Sequence, residues 1–452
     1  MSDAKQADST IVRERRWRPP RVAETARRRV TLLSPLGGPV FPPRRLPLTK
    51  SLLAAEHEAG RKVKVFATHG KPRRHLRLLM LAVASLLIAA APSTTESTLD
   101  AWVDSVRAQH KIPAMAVIVL RADAVLARGI AGVRRAGAPG VATIQDRFQL
   151  GSNTKAITST LLATLVETGK LSWATTLGEV FPELSDSMSA GFRGVTLDQL
   201  LSHHAGVSPF TDTDDKDFKS IPRLTGSPMA QRRAFTAWVL RSKPVEPPGT
   251  KALYSNAGYT IAAAVAERVT GESWESLVRD RIFVPLGIHG TLAWSDSAAI
   301  DQPWGHYETR SGVKPVNPRD PSERVPPIIW PAGAVELSVD DYATFLRLQL
   351  RGLEGRDTSL LRAATIKHLH TPPVAPGDNF ALGWGAQDFE GAPASVHVGS
   401  AGTFYSVTIV QPTRDLAVAV FANAGAERAA AATKEAIKAL VRWYAAPVAT
   451  RE

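Results

Sequence analysis

The chain has 452 residues, enough for one large or two medium domains, and its 44% hydrophobic content is ordinary for a protein that buries a sizeable core. It contains no cysteine, which excludes disulfides, thiolate nucleophiles and Cys-ligated zinc and fits an oxidising compartment. The formal charge is +13, but residues 1–77 hold 19 Lys/Arg against 6 Asp/Glu while the remainder holds 36 of each, so the balanced body argues against a nucleic-acid partner.

Residues 1–60, with stretches such as RERRWRPPR and FPPRRLPL, show neither helical nor strand period. Segment 1–70 is therefore expected to be a disordered basic arm, or to precede the true translation start, which a site near Val63 or Val65 would supply. Within 71–93, Lys71, Arg73, Arg74 and Arg77 lead into an apolar run from Leu78 to Ala91. Its 14 residues are short of the roughly 20 needed to span a bilayer. A basic start, a short apolar centre and small residues after it describe a secretory signal, cleaved after Ala91 or Ser93, or an uncleaved anchor. The expectation is an exported protein, periplasmic or secreted or membrane-anchored, that meets a membrane only through this segment.

The body begins near Ser97. A helix is expected over Leu99 to Gln109, then two strands in AMAVIVLRADAVLARGIAGV around a turn at Ala122-Asp123. Ser152–Thr168 has helical period, with Ile157, Leu161, Leu162 and Leu165 on one face and Gly169 as the stop. A second helix runs roughly from Gly258 to Val269, stopped by Gly271, and the stretch between the two reads as loop-rich. Near the end, SVTIV and LAVAVFAN are alternating strands joined by a turn at Pro412-Thr413-Arg414-Asp415, followed by a helix from Ala426 to Trp443. Strands at both ends with helices between them give an α+β fold: an antiparallel sheet flanked by helices, with a mostly helical inserted part. The body would span 97–447, its α/β part at 97–147 and 330–447 and its helical part at 148–329.

Ser152 and Lys155 stand three residues apart at the expected start of a helix, so they share a face. The positive end of the helix dipole and partial burial both disfavour an ammonium there, and a neutral lysine can take the serine proton. The Ser152 N–H at the helix start can also donate to an oxyanion. Standing alone, the pair is more simply read as a capping serine near a lysine. Two further segments keep it company: Tyr254-Ser255-Asn256 just before the second helix, and His397-Val398-Gly399 on an expected strand.

Together these resemble the three motifs of the serine β-lactamase and penicillin-binding protein superfamily: Ser-x-x-Lys, Tyr-x-Asn and Lys/His-x-Gly. The likeness is greatest to its class C β-lactamase-like branch, which includes D-alanyl-D-alanine carboxypeptidases and carboxylesterases. LDQLLSHHAGV, GKLSWATTLGEVFPEL, RVTGESWESLVRDRIFVPLGIHGT and LGWG also have counterparts there, and the resemblance runs from about Ser97 to Trp443. It implies a β-lactamase/transpeptidase-like fold and a serine hydrolase without cofactor or metal. Ser152 would be the acylated nucleophile, and Lys155 or Tyr254 the base. Asn256 would contact a substrate amide or orient Lys155. Gly399 would let substrate approach the strand edge, and the Ser400 N–H would complete the oxyanion site, with His397 beside it. Val398 supplies no hydroxyl where many relatives have threonine, which weakens the case for a carboxylate-bearing substrate; Ser400 or Thr403 would have to compensate. Esters, D-amino-acid peptides and β-lactams all remain open as small-molecule or peptide substrates. A reading from another class is a non-catalytic cell-wall-binding protein that keeps the fold.

Neither His203-His204 nor His368-Leu369-His370 shows the His-Glu-x-x-His pattern of a zinc protease, so these are expected to be surface or loop histidines. Gly399-Ser400-Ala401-Gly402 fails as a nucleophile elbow because Val398 stands where a glycine is required. Trp330 and Trp384 are expected in the core or a pocket wall.

Overall fold

A computed structural model describes residues 94–211, 216–293, 301–320, 324–373 and 379–445. The basic segment and the apolar run from Leu78 to Ala91 lie outside the described residues. Among the described residues, no helix is long and apolar enough to cross a membrane.

Six strands form one antiparallel sheet: β1 (Ala114–Leu120), β2 (Val125–Gly132), β3 (Gly385–Phe389), β4 (Ala392–Ser400), β5 (Tyr405–Gln411) and β6 (Leu416–Ala422). Their spatial order is β2-β1-β6-β5-β4-β3. The first hairpin therefore joins the last strand, with Met115 opposite Ala422 and Leu120 opposite Ala417. The β5–β6 turn is a 3-10 turn over Pro412–Arg414 that ends on Asp415 in the left-handed region.

Both faces of the sheet are covered. Alternate residues Met115, Val117, Val119, Val418 and Val420 pack under α1 (Thr94–Gln109) and, at the end of the chain, α6 (Ala426–Tyr444). Their neighbours Ala116, Ile118, Ala417, Ala419 and Phe421 face the larger core. Strands buried on both sides read as continuous apolar runs, as AMAVIVL and LAVAVFA do.

The larger core is built around four helices: α2 (Thr154–Glu167), α3 (Pro228–Arg241), α4 (Asn256–Thr270) and α5 (Val339–Leu353). Helix α2 is buried from Thr154 to Leu165 on every face, not along one stripe as its period predicts. Its hydroxyls make this possible because each is bonded: Thr158 donates to the Pro331 carbonyl, Thr160 to Ala156 O, and Ser159 lies 3.2 Å from the Tyr259 hydroxyl. Gly169 (φ +70°) and Gly271 (φ +78°) end their helices as expected.

The stretch that reads as loop-rich, within the expected helical part, contains α3, a helix of 14 residues. It carries Arg232, which is fully buried and bonds Glu267 of α4, Glu275 and the Pro327 carbonyl. Removing one member of such a buried cluster strands the others. Arg232→Met is expected to lower stability by about 3–5 kcal/mol, measured by urea denaturation.

Candidate active site

The nucleophile candidate sits on a tight turn. Strand residues Phe148–Gln149 pair with Glu336–Leu337, and the Leu150 N–H donates to Val335 O at 2.8 Å. A 3-10 turn over Gly151–Asn153 then delivers the chain into α2, so the α-helix starts at Thr154 rather than at Ser152. No side chain caps either start. The Ser152 hydroxyl is thus not spent on capping.

It faces Lys155 instead. Lys155 Nζ lies 3.1 Å from Ser152 Oγ, 2.8 Å from Asn256 Oδ1 and 2.9 Å from the Ala332 carbonyl. The lysine is 0% exposed, and burial holds its ammonium well below the usual lysine range. The amine also lies 4.8 Å from the centre of the Tyr254 ring. Burial pushes the Tyr254 phenol up to about 12, against the opposing effect of the Ser152 hydroxyl beside it. Serine, lysine and tyrosine therefore meet in one place.

Asn256 opens α4, where Ser255 caps the helix by accepting from the Gly258 N–H. Both ends of the Asn256 amide are occupied: Oδ1 accepts from Lys155, and Nδ2 donates to Phe210 O at 3.0 Å. Of its two expected roles, this geometry is that of orienting Lys155.

Strand β4 passes beside the turn. A Cβ on Gly151 (φ +52°) would lie 2.7 Å from Ser400 N, so the Ser400 amide is next to the Ser152 turn. A Cβ on Gly399 would lie 2.0 Å from Leu150 O and 2.5 Å from Ser406 Oγ. Gly399 thus admits the backbone that carries Ser152. His397 Nδ1 is 2.6 Å from the Gly383 carbonyl, to which its N–H donates. Burial, helped by Lys155, lowers its pKa to about 4, so the ring is neutral at ordinary pH. Val398 is 44% exposed. Thr403 is buried against Gly305 and is not the compensating hydroxyl; Ser400 is exposed.

His203, His204 and His370 lie in turns or loops, one of the two places expected for them, but not on the surface. His203 and His204 are 3% and 1% exposed, so neither is a surface residue. His370 is buried too, between Ser395 Oγ and Gln349 Oε1, with its ring 4.6 Å from that of Trp384. Among the described residues, no group of three or more His, Asp or Glu side chains is placed to hold a metal. Trp384 is buried, and Trp330 is half-buried with its indole N–H on Val325 O. The one feature of the site that no side-chain pattern reveals is the Ala332 carbonyl, a backbone partner on a short helix, Trp330–Gly333, against α2.

An α+β fold with an antiparallel sheet beside a buried Ser-x-x-Lys pair defines the class, and the chain belongs to the β-lactamase family, whose members include hydrolases. The family model described as Beta-lactamase matches residues 99–442. Penicillin-binding protein 4 of Amycolatopsis lactamdurans is 27% identical over 331 residues, covering 71% of this chain and 84% of that protein. The unguisins hydrolase ungD of Aspergillus violaceofuscus is 27% identical over 348 residues, covering 69% of this chain, which spans only 58% of that hydrolase. Among solved structures, a penicillin-binding protein from Bacillus halodurans superposes with a TM-score of 0.60 at 23% identity, over 74% of this chain and 99% of its own.

Proposed function

We propose that the chain is an exported serine hydrolase that cleaves an ester or amide through an acyl-serine intermediate on Ser152. The observation that carries this reading is the set of three partners around the buried Lys155 amine. A neutral amine has two N–H bonds and one lone pair. Asn256 Oδ1 and Ala332 O accept only, so they take the two hydrogens and leave the lone pair facing the Ser152 hydroxyl.

The chemistry follows from that arrangement. Lys155 takes the Ser152 proton as Oγ attacks the carbonyl carbon. The oxyanion is met by the N–H groups of Ser152 and Ser400. Tyr254, a phenol up to about 12, gives its proton to the departing alcohol or amine. Lys155, now an ammonium beside the new phenolate, returns the proton to Tyr254. Water then attacks the acyl-serine by the reverse proton path, releasing the acid and regenerating the serine.

Substrate preference follows from charge. His397 is neutral and its Nδ1–H is committed to Gly383 O, so the third motif presents no cation to a substrate carboxylate. A neutral ester is therefore the expected substrate, ahead of a D-alanyl peptide or a β-lactam. Export rests on the sequence of residues 71–93 and places the enzyme in the periplasm or outside the cell, on small-molecule or peptide substrates.

The test is covalent labelling by a fluorophosphonate, with kcat/KM compared on a short-chain nitrophenyl ester, a D-alanyl peptide and a chromogenic cephalosporin. Labelling should be lost in Ser152→Ala, and the ester should give the highest kcat/KM. Folded protein that labels with no serine-directed probe would overturn the hydrolase in favour of a cell-wall-binding protein.

A further inference from the structure

Tyr254 sits in a stretch of chain with no helix or strand of its own, just ahead of the Ser255 cap. Something else must hold its phenol in place beside Ser152. His203 touches all three residues of that stretch. Its carbonyl accepts from the Leu253 N–H at 2.8 Å. Its ring packs on the Tyr254 ring, centroids 4.4 Å apart. Its Nδ1 accepts from the Ser255 N–H at 3.1 Å. Phe380 completes a cluster of three rings, 5.3 Å from the imidazole and edge-on to it, and 6.1 Å from the Tyr254 ring.

From this clamp we infer that His203 is the positioning residue of the Tyr254 phenol, and through it sets how well the enzyme protonates a leaving group. The inference rests on the reading of Tyr254 as the leaving-group acid.

The backbone marks His203 as special. Its φ of +68° is uncommon for a residue with a Cβ, and it brings carbonyl and ring to bear on the same neighbour. Since Nδ1 accepts from Ser255, the ring proton is on Nε2 and the imidazole is neutral. Its surroundings keep it so: burial first, then Lys155, His397 and His204, all disfavour the imidazolium, and the two phenols of Tyr254 and Tyr259 complete the ionisable groups around it. A neutral ring packs against the phenol, tilted 37° to it, without desolvating an ion.

The test separates positioning from mere support by using two leaving groups. The nitrophenyl ester of a short acid expels an anion that needs little protonation; the ethyl ester of the same acid expels an alkoxide that needs it badly. Two variants accommodate the left-handed backbone: His203→Gly removes ring and acceptor, and His203→Asn keeps an acceptor oxygen where Nδ1 was. In His203→Gly, kcat/KM, which reports acylation, should fall by about 10²-fold on the ethyl ester and by no more than about 10-fold on the nitrophenyl ester, general-acid loss being worth roughly 10²–10⁴. KM should hold within about two-fold, as expected when an interaction made only in the transition state is lost. His203→Asn should recover much of the ethyl-ester rate. Equal losses on both esters, or no recovery in His203→Asn at matched thermal stability, would overturn the inference. If Ser152→Ala itself keeps full activity, it is the hydrolase mechanism that fails, and that outcome overturns the inference with it.

Discussion

In Lys155→Met, hydrolysis is expected to fall by about 10²–10⁴-fold, the usual worth of a general base, while the chain still folds. Methionine fills much the same volume as the lysine stem but leaves Ser152 with no acceptor for its proton. Fluorophosphonate labelling should slow in parallel, because the same hydroxyl must be activated. The pH dependence of the wild type gives a second check. Only the neutral amine works as a base, so kcat/KM should decline on the acid side as pH falls through the lowered pKa of Lys155. Tyr254, at about 12, sets no alkaline limit in the usual range. Stability carries the same signature. Between the lowered pKa in the folded state and 10.5 in the unfolded chain, the unfolded state binds the extra proton. Stability therefore rises with pH across that window, and the variant lacks this contribution. Urea denaturation at about pH 7 and about pH 9.5 should show the wild type gaining on Lys155→Met as pH rises. A wild type that instead loses ground to Lys155→Met as pH rises would mean that Lys155 is charged at rest.

Gly399→Ala should damage the site from the opposite side. The new methyl would sit 2.0 Å from Leu150 O, a backbone atom on the turn that carries Ser152. The other close neighbour, Ser406 Oγ at 2.5 Å, is tied to that same carbonyl at 2.8 Å and to Asn153 Nδ2 at 2.8 Å. Asn153 is in turn held by the Tyr342 hydroxyl at 3.1 Å. No flexible end is free to step aside, so strand and turn must part. Overpacking of this kind costs about 1–3 kcal/mol. Displacing the Ser400 amide from the oxyanion position should remove about 10²–10³ in rate. Gly194→Ala is the control: nothing lies within 4 Å of its added Cβ, and its stability should change by less than about 0.5 kcal/mol.

Some of this was open to reading from the residues, and the reasons differ by part. Ser152 and Lys155 are legible because helical spacing fixes their proximity in any helix start. The β1–β2 and β5–β6 hairpins are legible because their turns punctuate apolar runs. Helix α3 is not, because its buried Arg232 reads as a solvent-facing residue; only Glu267 and Glu275, distant in sequence, make its burial possible. His203 misleads for the same reason: a polar ring beside a turn looks exposed until Tyr254, Tyr259 and Phe380 are seen around it. Thr403 follows the motif by only a few residues, yet it turns inward toward Gly305. Gly399 announces a close approach without saying to what, and the answer is the backbone of the turn that carries Ser152. Ala332 contributes only a carbonyl, which no residue type advertises.

The strand order has a consequence for the chain as it is made. β1 and β2 leave the ribosome early, but β6, which lies beside β1, comes some three hundred residues later. Ser400 reaches Ser152 only when β4 has joined β5 and β5 has joined β6. Such distant pairings form late because a long loop must close before any contact rewards it. The nascent polypeptide therefore carries Ser152 and Lys155 without Ser400 through most of synthesis, and the proposed site is assembled only once the final strands have docked.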